Sequence, residues 1–229
     1  MNISRRTLTL AASTIAVTAL FASLPARASD ATDAQELVDK SGITITSIDA
    51  DKDFVTFGPA LAKAKAVLIF PQVLKAGFIL GGSGGSGVLM VRDAKTGEWS
   101  GPAFYTMGAA SIGFAVGAQS AEVVMVVNSQ KALDSLYTSK LKLGGDASVA
   151  AGPKGVGSGA SMTADFIVYS KAKGAYAGMS VDGSVLDVRQ SLNAGYYGKA
   201  ITPVDILVKD AGGNASSASL KAALKSASK

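Results

Sequence analysis

The apolar positions of the chain fall into three textures. Leu8 to Leu24 is a nearly continuous apolar run, diluted by Thr and Ser. From Asp33 to Lys40, Ala34, Leu37 and Val38 lie on one face of a short amphipathic helix that ends near Gly42. Ile43 to Ile48 alternates imperfectly and reads as a strand or a connecting loop. Phe54, Phe57, Leu61 and Ala64 then recur at helical spacing, interrupted by Gly58-Pro59, which makes Pro59 the first residue of a helix reaching about Ala66.

After residue 66 the period shortens to that of strands. Val67–Phe70 is a short apolar strand stopped by Pro71. Ala76–Leu80 and Val88–Val91 flank the glycine series Gly81–Gly87, which reads as a hairpin or bend between two strands. Further strands are expected at Ala103–Met107, Ile112–Ala118, Glu122–Asn128, Ala147–Ala151, Ala164–Ser170, Ala175–Val181 and Val185–Val188. The last two are joined by the hairpin signal Asp182-Gly183. One helix follows Ser129 as its cap, with Leu133, Leu136 and Tyr137 on one face. Another starts at Thr202-Pro203-Val204-Asp205, which combines an N-cap, Pro at N1 and an acid at N3. Gly77–Gly81 ahead of Val88–Val91 echoes Gly113–Gly117 ahead of Val123–Val126, as two similar hairpins that would stack in one sheet. The pattern predicts an α+β fold, a curved, mostly antiparallel β-sheet or partial barrel flanked by short helices.

The first apolar run changes how the rest is read. Arg5-Arg6 ahead of it and Pro25-Ala26-Arg27-Ala28 behind it make residues 1–28 a cleavable export signal, cut between Ala28 and Ser29. The paired arginines suggest the twin-arginine route. Residues 29–209 form one domain, and 210–229, opening with Ala-Gly-Gly-Asn, read as a flexible basic tail. Removing 28 of 229 residues takes three arginines and no acids. That leaves 19 basic residues against 17 acidic ones, a net charge of +2 in place of +5. Such a balance gives no general case for nucleic-acid binding.

Composition removes whole classes of chemistry. The chain has no cysteine and no histidine, so disulfides, thiolate nucleophiles, sulfur-ligated metals and the commonest general base are excluded. No cofactor or metal site is expected. Gly82-x-Gly84-x-x-Gly87 matches a dinucleotide fingerprint by letters, but a strand pattern follows it where that fingerprint needs a helix. The glycine segment Gly152–Gly159 reads as a loop, or as an anion nest beside Lys154. Asp146, Asp165, Asp182 and Asp187 are scattered across segments, and Ser129 and Ser191 have no neighbouring base in sequence.

A membrane surface has firmer support. Phe54, Phe57 and Leu61 beside Lys63, Lys65 and Lys75 form a candidate lipid-binding set, apolar groups entering an interface while lysines meet anionic headgroups. Spacing alone favours the opposite reading, with the aromatics covering the sheet core and the lysines solvated.

The blocks Ala62–Pro71, Lys75–Phe78, Gly81 to Leu89, Ser111–Ser120, Asp146–Val149, Lys173–Gly178, Asn193–Lys199 and Pro203–Leu207 resemble, in this order, the SYLF lipid-binding domain. The resemblance implies membrane-lipid binding without catalysis, through an amphipathic segment that corresponds here to roughly residues 54–65. Eukaryotic members also bind phosphoinositides and, in fungi, actin. Bacterial members resemble this chain in having an export signal and the domain alone, so actin is not an expected partner in this compartment. The expectation is a non-enzymatic, periplasmic or exported lipid-binding protein of the bacterial envelope, peripheral on a membrane and bound to anionic phospholipid. The alternatives are a protein-binding envelope component and a histidine-free hydrolase.

Overall fold

The computed structural model describes residues 24–77, 80–112, 117–138, 140–152, 163–173, 181–212 and 215–229. Eight strands form one sheet in the order β5-β8-β3-β2-β1-β4-β7-β6. The strands are β1 (Ala66–Gly77), β2 (Leu80–Arg92), β3 (Trp99–Ile112), β4 (Gly117–Val127), β5 (Leu141–Lys142), β6 (Val149–Ala151), β7 (Phe166–Lys173) and β8 (Val185–Val188). All pairs are antiparallel except β6 with β7. The sheet curls into a half-barrel, and the α+β expectation holds.

Two cores form because alternate residues of each strand face opposite sides. Inside the curl, Leu68, Phe70, Leu89, Tyr105, Val123, Met125 and Phe166 pack with Leu133 and Leu136 of α3 (Gln130–Thr138) and Ile206 of α5 (Pro203–Leu207). Outside it, Val67, Ile69, Val88, Met90, Phe104, Val124 and Tyr169 meet α1 (Leu24–Asp49), α2 (Phe57–Lys63), α4 (Gln190–Tyr197) and α6 (Ala218–Ala227). The expected caps are present. Ser129 Oγ accepts from the Ala132 amide at 3.1 Å. Thr202 and Asp205 complete a capping box. No helix among the described residues is long and apolar enough to cross a membrane.

Five expectations are corrected. The helix expected over Asp33–Lys40 is 26 residues long and runs through Gly42 and Ile43–Ile48. Propensity argues for a strand in that β-branched stretch, yet Ala34, Val38, Ile45 and Ile48 bury one face and tertiary packing prevails. Thr46 also returns its hydroxyl to the Gly42 carbonyl at 3.2 Å. The expected cut between Ala28 and Ser29 falls inside this helix, whose preceding residues 1–23 lie outside the described ones.

Gly81–Gly87 is not a bend but the body of β2, paired throughout with β3 and, over residues 81–84, with β1 as well. Pro71 does not stop β1 either; the strand continues through a register shift between Phe70 and Val73, the place a sheet admits proline. The two echoing segments are not two hairpins. Gly77–Gly81 closes the β1–β2 hairpin, whereas β3 and β4, on either side of 113–116, are separated by that hairpin. Residues 78–79 and 113–116 themselves lie outside the described residues, as does most of the expected strand Ala175–Val181 and the anion-nest reading around Lys154.

The 210–229 segment, expected as a flexible tail, ends in α6. Leu220, Leu224 and Ala227 are buried against α1 and α2. A β-carbon on Gly58 would stand 2.9 Å from the Ala227 carbonyl oxygen, so the Gly-Pro pair that interrupts the α2 stripe is what lets α6 approach.

Candidate functional site

The candidate lipid set is divided by the fold. Phe54, Phe57 and Leu61 are buried, with relative exposures of 5 %, 0 % and 0 %. Their rings pack edge-on around Tyr169, at centroid distances of 5.7 Å for Phe54 and 5.1 Å for Phe57. Burial in this cluster raises the Tyr169 pKa, and the Thr56 hydroxyl, 3.2 Å from its own, opposes that shift. These aromatics fill the outer core, as spacing alone favours. Lys63 is exposed and Lys65 half-buried at the start of β1. Lys75, ten residues further along the strand, is about 33 Å from Lys65 at ordinary strand rise. The three lysines therefore do not form one patch.

A second grouping joins residues far apart in sequence. Ser47 of α1 donates to Glu122 Oε2 of β4 at 3.1 Å. Lys171 Nζ of β7 donates to Ser47 Oγ at 3.2 Å and to its carbonyl oxygen at 3.3 Å. The same ammonium pairs with Asp51 at 3.0 Å. Composition leaves a Ser-Lys hydrolase open, and this is the Ser-Lys contact the fold supplies. Its chemistry is that of a clamp. An ammonium held on a carboxylate is a donor, not a base, and the Ser47 hydrogen is directed at Glu122. Ser129 and Asp165 are likewise structural, since Asp165 accepts from the Ser129 hydroxyl and from Ser148 N and Oγ at 2.9 and 2.8 Å. These bonds, led by that of Ser129, hold the Asp165 carboxyl below its usual range. Among the described residues no three acids gather as a metal site.

A third feature lies at the end of the sheet, past the N-cap of α4, where Arg189 donates to Ser86 Oγ. Past the Ser47–Glu122 contact β4 runs five more residues to Gly117, about 17 Å at ordinary strand rise. Its neighbours end with it, Gly77 pairing with both Gly81 and Gly117, and Leu80 with Ile112. In this blade no described side chain of residues 74–76, 81–86, 108–110 or 119–120 is buried. Leu74 is 53 % exposed. The sequence carries no charge between Lys75 and Arg92, nor between Glu98 and Glu122. Lys75 lies within the blade on the middle strand β1, between Ser83 of β2 and Gln119 of β4, and the backbone of Lys173 pairs beside Ser120 of β4. Sequence reading takes these glycines for a turn. The signal that could have found the blade is the missing charge.

The chain is similar to known proteins. A family model described as Ysc84, Las17-binding protein actin regulator, matches residues 108–227. Protein YSC84 of Saccharomyces cerevisiae is 39 % identical over 154 residues, 64 % of this chain and 32 % of its own length. The SH3 domain-containing protein PJ696.02 of Schizosaccharomyces pombe is 38 % identical over 154 residues, 64 % of this chain and 35 % of its own. The human SH3 domain-containing YSC84-like protein 1 is 34 % identical over 155 residues, 66 % of this chain and 45 % of its own. The chain thus spans a third to just under half of these relatives. No solved structure matches it. With the family model covering more than half of its residues, the chain belongs to the Ysc84 family, described as Las17-binding actin regulators and so as binding proteins rather than enzymes.

Proposed function

We propose that the chain is a non-enzymatic module that binds an anionic lipid surface, and that it does so through the bare end of its sheet. The observation that carries this reading is the blade, in whose residues 74–76, 81–86, 108–110 and 119–120 the one charged side chain is Lys75. Soluble surfaces are ordinarily rich in charged side chains. Here four strand ends carry small residues and an exposed Leu74, with Lys75 among them and the Arg189 guanidinium donating to Ser86 Oγ at their base. Apolar groups that enter an interface, collared by cations that meet headgroups, are the ordinary arrangement of a peripheral membrane protein. The resemblance to lipid-binding SYLF domains supports the same class of partner. Export, removal of residues 1–28 and a periplasmic location belong to this proposal, and the actin-regulating role by which the family is described is not carried over to it.

The test is co-sedimentation of residues 24–229 with phosphatidylglycerol vesicles and, separately, phosphatidylcholine vesicles. Binding to the anionic vesicles at low salt, reduced by Leu74→Asp, is the expected result. Absence of binding at low salt overturns the proposal. Phe54 and Phe57 are unsuitable as probes, because truncating either would damage the core.

A further inference from the structure

The blade has two faces of different chemistry. Val73, Met107, Ala121 and Leu186 point into the core inside the curl, and Val88 and Phe104 into the core outside it. By alternation, Leu74 of β1, Gly84 of β2, Gly108 of β3 and Ser120 of β4 share the convex face, whereas Lys75 lies on the concave one. The register carries this convex rung on to Val185 of β8 and Lys142 of β5. Two large apolar side chains exposed to solvent, Leu74 at 53 % and Val185 at 36 %, are thus aligned on one rung. They stand three strands apart, about 14 Å at ordinary strand spacing.

Between these two the sheet is bare. A β-carbon on Gly108 would have no atom of the described residues within 4 Å beyond its chain neighbours, and one on Gly84 would meet only the Met107 carbonyl oxygen, at 3.2 Å. Cations border the strip. Lys142 stands at its edge and the Arg189 guanidinium at its base, on Ser86 Oγ. Neither is held on a carboxylate among the described residues. The acids nearby are engaged. Asp187, opposite Thr106, pairs with Lys140 at 3.1 Å, Asp146 accepts from the Lys142 amide at 2.8 Å, and Glu122 accepts from Ser47 at 3.1 Å. The concave face lacks this combination: Lys75 stands there between Ser83 and Gln119, with no exposed large apolar side chain beside it among the described residues.

We propose that the convex face of the blade is the one that lies on an anionic bilayer. Leu74 and Val185 enter the interface, Arg189 and Lys142 take lipid phosphates, and the glycine strip lets lipid pack down to the backbone between them. The inference rests on the lipid reading above and adds to it the face, a second apolar anchor and the phosphate ligands. Lys75, on the other side of the same strands, adds its charge from within a screening length of about 10 Å at 0.1 M salt.

The chain has no cysteine, so a single label can be placed on either face. In the full chain, Gly108→Cys and Ala109→Cys put a nitrobenzoxadiazole dye on adjacent residues of β3, one convex and one concave, at nearly the same depth in the blade. Whatever the rest of the chain adds to membrane binding is common to both. With phosphatidylglycerol vesicles at low salt, the dye at 108 should brighten, shift to the blue and be quenched by a nitroxide-labelled lipid, while the dye at 109 changes little. In the sedimentation test above, the double variant Lys142→Gln, Arg189→Gln should bind the anionic vesicles about tenfold more weakly, since two surface cations are lost. An equal response of the two dyes, a stronger one at 109, or unchanged affinity of the double variant would overturn the inference and leave lipid binding standing. Absence of sedimentation with the unsubstituted protein overturns both.

Discussion

Gly87 of β2 lies directly against the bulge of β1, where a β-carbon would stand 2.4 Å from the Ile69 carbonyl oxygen and 2.6 Å from Cδ1 of Phe70. Gly85 repeats the relationship two residues away, 2.4 Å from the Gln72 carbonyl oxygen. Proline 71 therefore fits inside a strand because the neighbouring strand has no side chains beneath it. The bulge and the glycines are one device.

Gly87→Ala should consequently destabilise the fold, by about 2–3 kcal/mol, because the obstructing atom is backbone and cannot rotate away. Gly108, on the blade, has nothing within 4 Å of its missing β-carbon. Gly108→Ala should change stability by no more than about 0.5 kcal/mol. Urea midpoints of the two variants measure the difference, and equal midpoints would refute the account of β2.

Asn193 makes a comparable contact between α4 and β3. The Phe104 amide donates to its Oδ1 at 3.0 Å, and the side chain is fully buried. Beside it the Phe104 carbonyl accepts from the Arg189 amide at 2.8 Å. Asn193→Ala would leave a buried amide unpaired at a cost of about 1–3 kcal/mol. Hydrogen exchange at the Phe104 amide should rise more than at its strand neighbours.

Legibility followed the range of the forces involved. The caps at Ser129 and Thr202 were readable because donor and acceptor lie within three residues. The strand series was readable because strands buried on both faces appear as short continuous apolar runs such as Val67–Phe70 and Val123–Val127. What failed depended on distant partners. Gly42–Ile48 is helical because its apolar face meets the sheet, and Gly81–Gly87 is extended because β1 bulges over it. Spacing favours Phe54 and Phe57 as core and the family resemblance favours them as a membrane anchor; Tyr169, more than a hundred residues on, fixes them as core. The Ser47–Glu122–Lys171 clamp joins three elements and has no signature in local spacing.

That clamp yields its own expectation. With Lys171 held on Asp51 and Ser47 donating to Glu122, the chain should show no Ser47-dependent hydrolysis of p-nitrophenyl butyrate. Ser47→Ala should instead lower the thermal midpoint, and Lys171→Met should do so as well. Ester turnover abolished by Ser47→Ala would restore the hydrolase reading.

Stability should fall at both pH extremes, with opposite signs of linkage. The Thr202 hydroxyl first, then Lys209 and the Thr202 amide, hold the Asp205 carboxyl at about 2. A depressed carboxyl stabilises above its unfolded pKa near 4, and this is lost as pH falls toward 2. Burial raises Tyr137 and Tyr196 to about 12, and raises Tyr105 and Tyr197 as well. Their stabilisation is intact below the unfolded pKa near 10 and is lost as pH rises through the folded values. Denaturation midpoints against pH should decline below 4 and above 10, and Asp205→Asn should flatten the acid limb alone.

The position of Lys75 separates two ways of meeting a membrane. Were the α2 segment the contact, Lys63 would dominate electrostatic binding, since it is exposed at the end of that helix. If the blade is the contact, Lys75 dominates and Lys63, more than 30 Å back along β1 at ordinary strand rise, is remote from the headgroups. A lysine near an anionic surface contributes about 1 kcal/mol, and reversal counts the charge twice. Lys75→Glu should therefore weaken phosphatidylglycerol binding by tenfold or more, on the order of 2 kcal/mol, and reduce its salt dependence. Lys63→Glu should leave it within about twofold, because vesicle charge is screened over about 10 Å at 0.1 M salt. The reverse order in co-sedimentation would move the lipid contact from the blade to α2.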